Sequence, residues 1–246
     1  MSDANVRSVT SRRGALRNAL AAFAGAAISP SLAKAITATP TATEGPYWVD
    51  EKLNRSDIRT DPTTGYVVTG FPLKLNIGVV KYAKNKVYPV SGATVDIWHC
   101  DAYGNYSDEP VGSGNSNTQG QKWLRGYQIT DTDGLCRFTT IYPGWYGGRT
   151  THIHARVRTF KGTTATTNFT TQFFFDDDFT DALYAKQRPY RYRTAERDTD
   201  NDSDNIYNVV TSSLGSTKAS PDGDKMLLRY DADNTHVVGA FQIVLV

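Results

Sequence analysis

The segment Tyr142-Pro-Gly-Trp-Tyr-Gly-Gly-Arg-Thr-Thr-His-Ile-His154, running on through Ala155-Arg-Val157, constrains this chain more than any other. In a β-strand successive side chains point to opposite faces, so residues two apart share a face. Ile153, Ala155 and Val157 then make an apolar row suited to a packed core. His152 and His154 stand together on the other side, where two imidazoles can share a metal ion. A His-x-His pair on a strand also occurs as a plain polar surface pair, so the neighbouring residues have to decide. The chain has only 4 histidines, and this strand holds two of them.

Tyr146 lies just upstream of the pair. A second tyrosine, Tyr106, sits in Asp101-Ala-Tyr-Gly-Asn-Tyr-Ser-Asp108, the turn after an apolar strand. Phenolate is a hard anionic oxygen donor and imidazole is intermediate. Two of each favour Fe(III) over zinc, which prefers thiolate, imidazole and carboxylate. A free tyrosine ionises near about pH 10. Only a strongly Lewis-acidic cation holds it as phenolate at neutral pH.

The rest of the chain reads as short strands. Alternating or apolar runs cover 71–80, 93–99, 123–130, 135–141, 152–159, 170–175, 226–230 and 237–246. Asp131-Thr-Asp-Gly134 and Asp231-Ala-Asp-Asn234 supply turns, the second within a hairpin. Aromatics make up 11% of the chain, including 14 tyrosines, which favours strands over helices. The expectation is an all-β chain, a β-sandwich of mostly antiparallel strands with long irregular loops. Residues 36–70 read as an irregular arm and 107–121 as a loop.

Residues 1–35 read as a targeting peptide. Ser11-Arg-Arg-Gly-Ala-Leu-Arg17 resembles a twin-arginine export motif, although Ala15 stands where a bulky apolar residue is usual. A weakly apolar stretch follows, and Leu32-Ala-Lys-Ala35 fits a small-x-small cleavage site. An alanine-rich amphipathic helix is the alternative. The formal charge of +2 comes mostly from this segment, where five basic residues face Asp3 alone. Without it the balance is about −2, and nothing argues for nucleic acid. Beyond the N-terminus no apolar run is long enough to span a membrane. Cys100 and Cys136 are the two cysteines; a disulfide and two buried thiols both remain open.

These motifs, taken with Thr43-Glu-Gly-Pro-Tyr47, Arg55-Ser-Asp-Ile-Arg59, Gly92 through Asp101, Leu124 through Asp131 and Thr171-Gln-Phe-Phe-Phe175, resemble the intradiol ring-cleavage dioxygenases. The resemblance runs from about residue 40 to about 210. It implies a β-sandwich domain over 36–246 and a non-haem Fe(III) cofactor. The metal ligands it implies are Tyr106, Tyr146, His152 and His154. The implied reaction cleaves catechols with O2 between the two hydroxyl-bearing carbons, giving muconate-type products. Tyr146 is then also a candidate base. Arg149 would stabilise charge developing on the ring, and Gln172 would orient an oxygen species. The implied partners are a small-molecule catechol and O2. The resemblance is stronger to the protocatechuate-type or exported branch, because 36–70 is too short and too Pro/Thr-rich for a helical dimerisation region. Such an enzyme would be a bacterial protein exported to the periplasm or beyond.

Two other readings stay open. One is an exported β-sandwich that binds aromatic or polysaccharide material. The other is a zinc hydrolase, which would lack an acidic ligand or a water-activating glutamate beside the histidine pair. His99 and His236 read as structural, and Trp145 as a pocket wall or as core. Asp198 through Asp204 carries acidic residues at alternate positions. Against a calcium loop, Ser203 stands where glycine is needed and Val209 where glutamate is needed, so it reads as a solvated loop. Asp176-Asp-Asp178 reads as a strand-ending turn.

Overall fold

A computed structural model describes residues 37–110, 116–209 and 222–246. The expected targeting segment 1–35 lies outside them. Among the described residues, nine strands form two sheets. One contains β1 (Pro72–Ala83), β2 (Lys86–Pro89), β5 (Leu135–Ile141), β8 (Arg229–Ala232) and β9 (Val237–Leu245), with β2 and β5 both pairing β1. The other has the order β4 (Arg125–Ile129), β3 (Thr94–Trp98), β6 (His152–Lys161), β7 (Thr164–Phe174). All pairs are antiparallel except β1 with β9. This is the expected all-β sandwich.

The core lies between the sheets and follows the period of two. Leu73, Leu75, Ile77 and Val79 of β1 face Val95 and Ile97 of β3 and Ile153, Ala155 and Val157 of β6, all buried. Each large aliphatic side chain so placed stabilises the fold by roughly 1.5–3 kcal/mol. One row of β6 is thereby committed to the core. The opposite row must project from the outer face of its sheet.

That outer face is covered rather than wet. The arm before β1 crosses it and is fastened to β6. Glu44 pairs with Arg156 at 3.1 Å and Asp50 with Arg158 at 3.2 Å. The Arg156 guanidinium lies 4.8 Å from the centre of the Trp48 ring, which packs on Trp98 at 4.7 Å. These contacts roof the histidine end of the strand.

Several local expectations are corrected. Asp176-Asp-Asp178 does not end a strand in a turn. Asp176 accepts from Phe179 N and caps a helix, α1 (Asp177–Lys186), whose acidic first turn suits the helix dipole. Strand β2 was not legible, because its four residues are mostly exposed and carry no apolar alternation. Cys100 and Cys136 are separate buried thiols in different clusters, and burial pushes both thiols up. His99 is buried, with Nε2 2.7 Å from Thr140 Oγ1 and Nδ1 2.8 Å from the Cys100 carbonyl. His236 sits at a surface turn beside Asp233. Among the described residues no helix is long and apolar enough to cross a membrane.

Candidate active site

His152 and His154 open β6. In register, His152 lies across from Phe174, and His154 lies between Gln172 of β7 and Trp98 of β3. The Trp98 ring stacks on His154 at 4.9 Å and 7°. His152 Nδ1 lies 2.6 Å from the Thr150 carbonyl. A carbonyl only accepts, so Nδ1 carries the proton and Nε2 presents a lone pair. That Nε2 is 3.2 Å from His154 Nε2, 3.3 Å from Tyr106 Oη and 3.3 Å from Tyr146 Oη. Four donor atoms from three chain segments converge on one point.

Tyr106 arrives from the turn after β3. The Asp101 carboxylate accepts from the backbone of Tyr103 and Asn105, both at 2.8 Å, and closes the turn. Gly104 has φ +90, and a Cβ there would lie 2.3 Å from the Trp145 carbonyl oxygen. Only glycine allows the Tyr106 and Tyr146 turns to touch. Gly104→Ala is therefore expected to cost roughly 2–5 kcal/mol from backbone strain and steric overlap together. Thermal unfolding measures this, and an unchanged midpoint would show that the two turns separate without cost. Buried Arg125 fixes the far side. Its guanidinium donates to Ser107 Oγ at 2.9 Å, to the Ser107 carbonyl at 2.6 Å and to the Tyr47 carbonyl. Tyr47 stacks on Tyr106 at 4.5 Å.

Tyr146 is half-buried in the turn before β6, edge-on to Tyr106 at 5.8 Å. Its neighbour Trp145 belongs to the core. It packs on Tyr184 at 4.6 Å, beneath the Arg193 guanidinium at 3.5 Å.

Burial governs the charge state of all four donors. It holds both imidazoles well below their ordinary range; Arg149 adds to the effect on His152, and His152 to that on His154. Both are thus neutral lone-pair donors. Burial also drives the phenols of Tyr106 and Tyr146 upward, against the pull of the Arg149 charge. Ionising them here demands a strong Lewis acid. Among the described residues no group of three or more His, Cys, Asp or Glu gathers as a metal site. Two neutral imidazoles and two phenols remain, a donor set that fits a hard, trivalent cation better than zinc.

Arg149 is mostly enclosed, with its side chain 15% exposed. Its NH2 donates to Gln172 Oε1 at 2.6 Å, and its NH1 stands 3.4 Å from His152 Nε2. The Gln172 amide donates in turn to the Thr43 carbonyl at 2.9 Å. The six residues singled out in the sequence, Tyr106, Tyr146, Arg149, His152, His154 and Gln172, are thus brought together.

The reading of Asp198 through Asp204 as a solvated loop holds for Asp198, Asp200, Asp202 and Ser203, which are exposed, and is corrected for the others. Thr199, Asn201 and Asp204 are buried, and the Asp204 side chain is fully enclosed. Asp204 Oδ2 accepts from Arg149 Nε at 2.8 Å. Asp177 anchors the same loop by taking the Asn201 amide at 2.9 Å and Arg197 at 2.6 Å. Sequence reasoning missed Asp204 because a run of polar residues looks alike whether water or a buried arginine is its partner. Nothing in the spacing links position 204 to position 149.

The sequence pattern of a protein family described as Dioxygenase matches residues 43–201. Catechol 1,2-dioxygenase 1 of Acinetobacter lwoffii is 31% identical over 160 residues, covering 57% of this chain and 47% of that protein. The chain thus spans about half the length of this curated relative. An intradiol ring-cleavage dioxygenase from Tetranychus urticae has a similar structure, with TM-score 0.67 and 27% identity over 85% of this chain and 94% of that one. The dioxygenase domain of a carbohydrate-binding fusion protein from Streptomyces sp. SirexAA-E superposes with TM-score 0.54 at 25% identity, covering 85% and 98% of the two chains.

Proposed function

The chain belongs to the intradiol ring-cleavage dioxygenases, and from that premise we propose that it is a non-haem Fe(III) enzyme. It cleaves catechols with O2 between the two hydroxyl-bearing carbons and gives muconate-type products. The observation that carries this is the convergence of Tyr106 Oη, Tyr146 Oη and His154 Nε2 on His152 Nε2 within 3.3 Å. Tyr106, Tyr146, His152 and His154 would hold the iron. When bound, Fe(III) supplies Lewis acidity and a template for a two-oxygen chelator.

The remaining roles belong to the protein. A catechol loses two protons when it binds as a dianion; one passes to a base of the protein and the other to hydroxide from solvent. Tyr146 is the better phenolate for this, accepting one proton at Oη. It is half-buried on a short turn, whereas Tyr106 is enclosed and clamped under Tyr47. The Arg149 guanidinium faces the same point and compensates negative charge as it develops on the ring oxygens. Gln172, held between Arg149 and the Thr43 carbonyl, keeps a fixed amide beside the reacting atoms. Trp98, Tyr47 and the arm keep bulk water away. Choice among catechols would rest with the loops within 44–60 and 107–122.

The test is direct. Purified protein should contain iron in near-stoichiometric amount and show a visible phenolate-to-iron charge-transfer band. It should convert a catechol to a muconate, followed by absorbance with O2 uptake. Iron-replete protein that leaves every catechol intact while retaining aromatics would turn the reading into that of a binding protein.

Residues 1–35 are proposed to export the enzyme by the twin-arginine route, which carries folded proteins already loaded with metal. Replacing Arg12 and Arg13 with lysine is expected to leave the precursor in the cytoplasm. Normal export and cleavage after Ala35 in that variant would exclude the route.

A further inference from the structure

The Asp204 carboxylate accepts four hydrogen bonds and has no exposed surface. Its Oδ1 accepts from the backbone of Ile206 at 2.7 Å and of Tyr207 at 2.9 Å. These bonds turn the carboxylate inward. Its Oδ2 accepts from Thr150 N and from Arg149 Nε, both at 2.8 Å. The Thr150 bond ties it to the backbone just before the histidine strand. The Arg149 bond takes one edge of the guanidinium fork. Gln172 Oε1 takes NH2, which leaves NH1 directed at the four-donor cluster.

A guanidinium on three methylenes reaches many orientations unless both edges are held. We infer that Asp204 is a positioning residue that sets the aim and the charge balance of Arg149. It acts through Arg149 and touches neither substrate nor metal. The inference rests on the ring-cleavage reading only for its consequence in rate; the clamp itself is independent of that reading. An uncompensated cation would also repel an incoming Fe(III) ion, so the carboxylate keeps the enclosed arginine compatible with a cationic site. The loop that delivers Asp204 is built for the purpose: Asn201 bonds the Phe175 carbonyl, and Asp177 bonds Asn201.

The experiment pairs spectroscopy with kinetics. In the full-length 15N-labelled protein, freed of paramagnetic metal, the Arg149 Nε–H should be a downfield signal that exchanges slowly with solvent. Its loss in Arg149→Lys assigns it. In Asp204→Asn the signal should move and exchange fast while backbone amide dispersion is kept. In the iron-replete Asp204→Asn enzyme, kcat should fall roughly tenfold to a hundredfold, as expected when a group orienting a reacting residue is lost. KM for catechol should change little. In an Arg149→Ala background the same substitution should lower kcat no further. A persistent slow Nε–H in Asp204→Asn, wild-type turnover, or a full additional loss in the double variant would each overturn the inference. If Asp204→Asn does not fold, the wild-type signal decides alone, because a rapidly exchanging Arg149 Nε–H contradicts the clamp. A wild-type enzyme without ring cleavage would sink the proposed function while leaving the spectroscopic result to judge Asp204.

Discussion

Tyr106→Phe is expected to weaken iron affinity and slow ring cleavage, each by at least about a hundredfold, while leaving the fold intact. Losing an orienting group around a metal already costs about tenfold to a hundredfold in affinity or activity, and here a proposed ligand atom itself is removed. The phenylalanine ring keeps the volume, the stack with Tyr47 and the packing in the cluster with Trp98 and Cys100. Oη loses its contact with His152 Nε2, 3.3 Å away, and its hydrogen bond with Tyr146. Stability should therefore fall by about 1–3 kcal/mol, the net worth of two hydrogen bonds. Iron still bound through Tyr146, His152 and His154 should absorb at a shifted wavelength, since one phenolate donor is gone. Full iron content with an unshifted band would remove Tyr106 from the ligand set.

Arg149→Ala should separate chemistry from metal binding. Arg149 is not proposed as a ligand, so iron and its colour should stay. Turnover at saturating catechol should fall about a hundredfold to a thousandfold, the loss typical of a single preorganised electrostatic contact worth roughly 2.7–4 kcal/mol. A second effect follows from its ion pair. Asp204 is fully enclosed, and removing its partner leaves a buried anion. Breaking such a pair costs about 3–5 kcal/mol of stability, so the thermal midpoint should fall as well. Iron content, midpoint and kcat are best measured on one sample below the lowered midpoint. Wild-type turnover in iron-replete Arg149→Ala would defeat the assigned role. An unchanged midpoint would show that Asp204 finds another cationic partner.

The sequence determined the two faces of the histidine strand. Its alternation of His152, Ile153, His154, Ala155 and Val157 allows one register relative to a core, because slipping by one residue would bury histidines between the sheets. The strands β1, β3, β5 and β9 were legible for the same reason. The donor set was legible because phenol and imidazole are uncommon companions, and the motifs around Tyr106 and Tyr146 mark turns. Other features depend on partners distant in sequence, and these only the tertiary structure decided. Helix α1 has a local cap in Asp176, but the partners that hold its first turn, Arg197 and Asn201 on Asp177, come from a distant loop. Trp145 became core because Tyr184 and Arg193 close around it. The enclosure of Asp204 is a long-range fact of the same kind. Local sequence sets which way a side chain points along a strand, but the contacts that bury a charge are fixed by segments 50 or more residues away. No periodicity within either segment records them.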